Sequence, residues 1–112
     1  MSPPTPEARA GSPAPVFAAL GDPTRLALVA TLADGRARSL TELSGGASIS
    51  RQAVSKHLRV LADAGVVGSV RQGRETRFAL APERLAAARA YLDTVGRQWE
   101  AALGRLKVHL EG

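Results

Sequence analysis

Residues 39–65 confine this chain to few folds, because they read as two helices of unequal length joined by a turn. Ser39 stands where an N-cap belongs and Glu42, three residues on, completes the reciprocal capping pattern, so a short helix is expected through Leu43. Ser44, Gly45 and Gly46 end it, since glycine reaches backbone angles that other residues avoid. A longer helix is predicted from Ser50, or slightly earlier with Ser48 as its cap, to a stop at Gly65. Advancing about 100° per residue, Val54, Leu58, Leu61 and Ala64 gather on one side of it. Gln52, Ser55, Lys56 and Arg59 fall on the other side, with Arg51 at the flank. One face packs, and the other offers hydrogen bonds and positive charge to whatever lies outside. His57 lies on the packed side, where a hydrogen-bonded structural histidine is expected rather than a metal ligand or a base.

The remaining segments order themselves around this pair. Val16, Phe17 and Leu20 read as a short first helix stopped by Gly21. Asp22 then caps a second helix that opens on Pro23 and runs through Leu26, Val29 and Ala30 toward Gly35. After Gly65 the period changes: Val66, Val67 and Val70, then Thr76, Phe78 and Leu80, flank Gln72, Gly73 and Arg74, which gives two strands and a basic hairpin tip. A long helix is predicted over residues 82–111. Along it Leu85, Ala88, Leu92, Val95, Trp99, Ala102 and Leu106 follow steps of three and four, widened by Leu103 and Leu110. That stripe is wider than one domain needs, so a partner helix is expected against Leu92, Val95, Trp99, Leu103 and Leu106. Val16, Phe17 and Leu20 are expected beside them in a two-fold interface. Residues 1–15, with five of the seven prolines, are expected to form a disordered arm. The chain thus reads as one domain, residues 16–112, mostly α with a small β-hairpin. Its order, α-α-α-α-β-β-α, is that of a winged helix-turn-helix that dimerises through its terminal helices.

Charge and missing chemistry narrow the function. Eight basic and three acidic residues lie between Gly35 and Leu80, so the whole formal excess of +5 falls within this middle stretch. A local excess of this kind suits a polyanion. Arg and Lys can bond guanine edges and Gln adenine edges in a major groove, while Ser reaches phosphate or base. Ser50, Arg51, Gln52, Ser55, Lys56 and Arg59 are therefore the expected contacts to double-stranded DNA. Arg71, Arg74 and Arg77 of the hairpin are expected to follow the phosphates or enter a minor groove. Cysteine is absent, which excludes disulfides and thiolate sites. There is no phosphate-binding glycine loop, and neither histidine has a nucleophile at suggestive spacing, so no catalytic residues, no cofactor and no enzyme activity are expected. No apolar run has the length of a membrane span, and a cytoplasmic location is expected. An adaptor that uses the same fold without binding DNA is the alternative, disfavoured because the exposed faces carry arginine instead of apolar anchors.

The stretch from Phe17 to Leu80 resembles the arsenic-repressor (ArsR/SmtB) family of winged-helix transcription regulators. The likeness is carried by ALGDPTRL from Ala19, SRQAVSKHLRVLADAGVV from Ser50 and RQGRETRFAL from Arg71. It implies a homodimeric repressor that binds operator DNA and releases it on meeting an inducer, with the helix from Ser50 to Ala64 as recognition helix and the hairpin as wing. The family's cysteine metal site does not carry over, because the matching positions are Thr41, Glu42, Leu43 and Ser44. A second family site uses Asp, His and Glu on the last helix. Here only Asp93, His109 and Glu111 are available, a poor supply for a zinc ion. No metal is expected, and the release signal stays open between a small molecule, a partner protein and the protein's own concentration.

Overall fold

The computed structural model describes residues 12–46 and 48–112. Among these residues five helices and a three-stranded sheet follow in order: α1 (Ala14–Leu20), α2 (Pro23–Thr31), a 3-10 turn (Leu32–Asp34), β1 (Arg38–Ser39), α3 (Leu40–Gly45), α4 (Arg51–Asp63), β2 (Val67–Gln72), β3 (Glu75–Leu80) and α5 (Pro82–Glu111). The winged helix-turn-helix order expected from the sequence is present.

α2, α3 and α4 each begin where a side chain supplies a partner for a free N–H group. Asp22 accepts from the Arg25 backbone N–H, with Pro23 in the first turn. Ser39 and Glu42 form the complete capping box of α3, and Ser50 accepts from the Ala53 N–H at the start of α4. α4 ends in a Schellman arrangement. The Gly65 N–H bonds the Ala62 carbonyl at 3.0 Å, and the Val66 N–H reaches back to Leu61 at 2.9 Å. This end needs a left-handed residue, and Gly65 has φ +79°.

Two expectations change. The disordered arm predicted over residues 1–15 does not include Ala14 and Pro15, which belong to α1; proline is tolerated in a first turn, where its missing N–H would find no partner anyway. Residues 1–11 lie outside the described residues. Second, the sheet gains β1. Its two residues pair with β3 through Arg38↔Phe78 and Ser39↔Arg77, giving the antiparallel order β1-β3-β2. The hairpin closes through a two-residue turn. Gly73 has φ +62° while Arg74 stays at negative φ, the pattern of a type II′ turn that suits the twist of paired strands.

The core sits where α4 crosses α1, α2 and α3. Leu32, Val54, Leu58, Leu61, Val16 and Val66 are its most deeply buried large side chains, and Phe78, Leu80 and Leu85 pack around them. Aliphatic side chains supply nearly all of it. Only the first part of α5 shares this core, through Leu85 and the buried Ala88. Beyond Ala90 the helix runs out from the domain at about 1.5 Å per residue, and every residue from Tyr91 to Glu111 is exposed except Ala102. No single described helix is long and apolar enough to cross a membrane.

Candidate nucleic-acid interface

α4 presents the two faces that its sequence pattern predicted. Val54, Leu58 and Leu61 are buried, and the opposite side chains Arg51, Gln52, Ser55, Lys56 and Arg59 are all exposed. Among the described residues, none of these five is held by an internal hydrogen bond or ion pair. Ser50 differs. Its oxygen accepts the Ala53 N–H at 3.1 Å, so it serves first as the cap that fixes the start of the helix.

The arginines outside α4 divide into committed and available groups. Arg77, expected as a hairpin contact to DNA, is an internal tie: its guanidinium lies 3.1 Å from Glu42 on α3 and 3.2 Å from Glu75, and it donates to the Ala37 carbonyl. Two carboxylates neutralise it, because the β1–β3 pairing brings its strand beside the start of α3. Arg38 is likewise occupied, chelating Asp34 at 2.7 Å and donating to the Thr31 carbonyl at 2.6 Å. Arg74 at the tip and Arg71 beside it remain exposed, with Arg71 making one long 3.4 Å bond to the Gly73 carbonyl. The positive surface is therefore narrower than the raw count suggests, concentrated on the α4 face and the tip of the hairpin.

The paired acids follow from these contacts. The Arg38 guanidinium, then the Arg36 backbone N–H, hold the Asp34 carboxyl down at about 2. Glu42 is lowered chiefly by the Ser39 backbone N–H and hydroxyl, with Arg77 and Arg38 adding to it. Asp22 is lowered first by the Arg25 backbone N–H that it caps, with the charges of Arg25 and His57 assisting. His57 meets the expectation of a hydrogen-bonded histidine, with Nδ1 3.2 Å from the Arg25 guanidinium. That contact spans residues 25 and 57, and no local spacing signals it.

The stripe along α5 is laid bare. Leu92, Val95, Trp99, Leu103 and Leu106 are all exposed, Trp99 at 64%. Phe17 stacks obliquely on Tyr91 with ring centroids 5.8 Å apart, which joins α1 to the base of the stripe. Leu20 is partly buried against the core. Val16, also expected at an interface, is only 1% exposed and belongs to the protomer's own core, because the inner side of a seven-residue helix faces α4. Among the described residues no group of three or more His, Asp or Glu side chains converges as a metal site.

Comparison with known proteins places this geometry. A family described as a helix-turn-helix domain matches residues 20–70. The chain is 41% identical over 92 residues to the HTH-type transcriptional regulator Rv2034 of Mycobacterium tuberculosis, covering 82% of each. It is 38% identical to the HTH-type transcriptional repressor SmtB of the same organism, over 76% of this chain and 61% of that protein. Among solved structures, an ArsR-like transcriptional regulator from Rhodococcus superposes with a TM-score of 0.71 at 36% identity, covering 85% of this chain and 89% of that one.

Proposed function

Because the chain belongs to the ArsR/SmtB family of winged helix-turn-helix DNA-binding transcriptional regulators, we propose that it is a homodimeric repressor. In this reading two α4 helices occupy successive major grooves of an inverted-repeat operator. The observation that carries it is the contrast among the cations. Arg38 and Arg77 are spent on internal carboxylates, whereas Arg51, Lys56 and Arg59 stand free on one exposed face with Gln52 and Ser55 between them. A free, mixed face of this kind supplies both charge for phosphates and directional bonds for base edges. The N-terminal half of α4 reads bases, with Arg51, Gln52, Ser55 and Lys56 as contacts, and Ser50 adds its hydroxyl proton to a phosphate. Arg59 and the wing residues Arg71 and Arg74 hold phosphates. Arg77 keeps the wing in place.

Two substitutions separate these roles in fluorescence-anisotropy titrations at several salt concentrations. Gln52→Ala changes the preferred sequence. Arg74→Ala weakens every duplex alike and lowers the slope of log affinity against log salt by about one. A Gln52→Ala protein with unaltered sequence preference removes Gln52 from the reading set.

A further inference from the structure

The apolar stripe of α4 fixes which side faces inward, but apolar contact is non-directional and defines rotation about the helix axis only coarsely. A directional bond is needed to hold a reading face to a fraction of an ångström. The described residues place one on the inner flank of α4. His57 is half-buried there, with Nδ1 3.2 Å from a terminal nitrogen of Arg25 and 3.8 Å from the Asp22 carboxylate. The Nε of Arg25 donates to the carbonyl of Ala19 in the last turn of α1, and its backbone N–H is capped by Asp22 at 3.0 Å. One guanidinium rooted in α2 therefore links the end of α1 to the middle of α4.

This bond has a defined proton requirement. A guanidinium has donors and no acceptor, so Nδ1 of His57 must accept, which places the proton of a neutral ring on Nε2. Protonating the ring sets donor against donor and brings two positive charges together. Among the described residues, two charged groups face the imidazole, Arg25 and Asp22, both from α2 and its cap. The α4 residues one turn away are Ala53, Val54, Val60 and Leu61, none titratable, and α1 contributes the Ala19 carbonyl to the cluster. A protonated ring therefore has one favourable turn open to it, toward Asp22 and away from Arg25.

We propose that Arg25 and His57 are positioning residues for DNA reading: their bond sets the rotation of α4 against α1, and protonation of His57 releases it, so that operator affinity falls on acidification. This rests on α4 being the reading helix. The sign is diagnostic, because an added positive charge by itself strengthens binding to a polyanion. A structural histidine with no positioning role therefore gives affinity that is flat or rising as pH falls.

Two measurements test the proposal, one of them without DNA. In the free protein at about pH 8, the ¹⁵N resonances of His57 are expected to show the Nε2–H tautomer, and Arg25→Ala to lose that preference; an Nδ1–H ring in the wild type overturns the contact. With a duplex selected from random-sequence DNA on the wild-type protein, anisotropy titrations run from about pH 8 to about pH 5.5. Wild-type affinity is expected to fall about tenfold across it, the scale of losing one charge-assisted hydrogen bond. His57→Asn puts an amide oxygen near the place of Nδ1 without a titrating group, so it keeps affinity within about threefold at pH 8 and has a flat profile. At that pH, Arg25→Ala and the Arg25→Ala/His57→Ala double variant bind within about twofold of each other, because the two residues act as one unit. Thermal melts by circular dichroism identify any variant that fails to fold. Wild-type affinity that holds or rises on acidification, or a His57→Asn protein that keeps the wild-type pH slope, overturns the positioning role. Selection that yields no duplex at any pH instead overturns the reading of α4 as a DNA-reading helix, while the ring tautomer still decides whether the tie exists.

Discussion

Replacing Trp99 with alanine removes the largest side chain from the bare stripe of α5 and leaves the rest of the protomer untouched. Trp99 is 64% exposed, and its stripe neighbours Val95, Leu103 and Leu106 are exposed as well. Covered aromatic side chains bury roughly 150–250 Å², so covering about 120 Å² of this one against a partner helix contributes about 3 kcal/mol at ~25 cal/mol per Å². A two-fold interface counts the residue twice. The substitution then weakens the dimer by about 6 kcal/mol, more than four powers of ten in Kd. Alanine is the best helix former, so loss of α5 itself does not explain the effect. Sedimentation velocity followed by peptide-bond absorbance, from nanomolar to high micromolar protein, checks this. The wild type is expected to sediment as a dimer through the micromolar range and Trp99→Ala as a monomer, with operator affinity lost although α4 is unchanged. A Trp99→Ala protein that stays dimeric below micromolar concentration refutes the assignment of this stripe.

Two further substitutions test the frame that holds α4. Gly65→Ala forces a side chain into a left-handed conformation, at φ +79°, with its Cβ only 2.8 Å from the Arg84 Cγ; a loss of about 2 kcal/mol is expected in urea unfolding. Asp34 has its carboxyl held at about 2 against an ordinary 3.8. A folded value below the unfolded one means that its stabilisation is complete above about pH 4 and disappears as the pH falls through about 2. Urea midpoints between pH 6 and pH 2 should therefore decline more steeply for the wild type than for Asp34→Asn, which starts lower.

The elements legible in the sequence were those whose signal is local. The Asp22–Pro23 start, the Ser39–Glu42 capping box, the Gly65 stop and the Gly73 turn each lie within a few residues of the group they satisfy, and all four stand as read. The division of α4 into buried and exposed faces was legible for the same reason, since one helical period decides it. What escaped depends on chain segments that meet only after folding. β1 is two residues long and shows no alternation; it is a strand because β3 lies beside it. Arg77 looks like its neighbours Arg71 and Arg74 until that pairing carries it to Glu42, thirty-five positions earlier. Val16 sits in the same apolar cluster as Phe17, and which of them faces α4 depends on how α1 docks. The Arg25–His57 contact belongs to this class too, with both residues visible in the sequence and their meeting not.

Selection of duplexes from random-sequence DNA on the wild-type protein, followed by sequencing of the bound pool, tests the central claim most directly. Two recognition helices related by a two-fold axis require half-sites in opposite orientation about one helical turn apart, roughly 10–10.5 base pairs centre to centre. The enriched pool is expected to converge on such an inverted repeat. Convergence on a lone half-site or a direct repeat would contradict the symmetric dimer, and a pool with no enriched sequence would contradict base reading by the exposed face of α4.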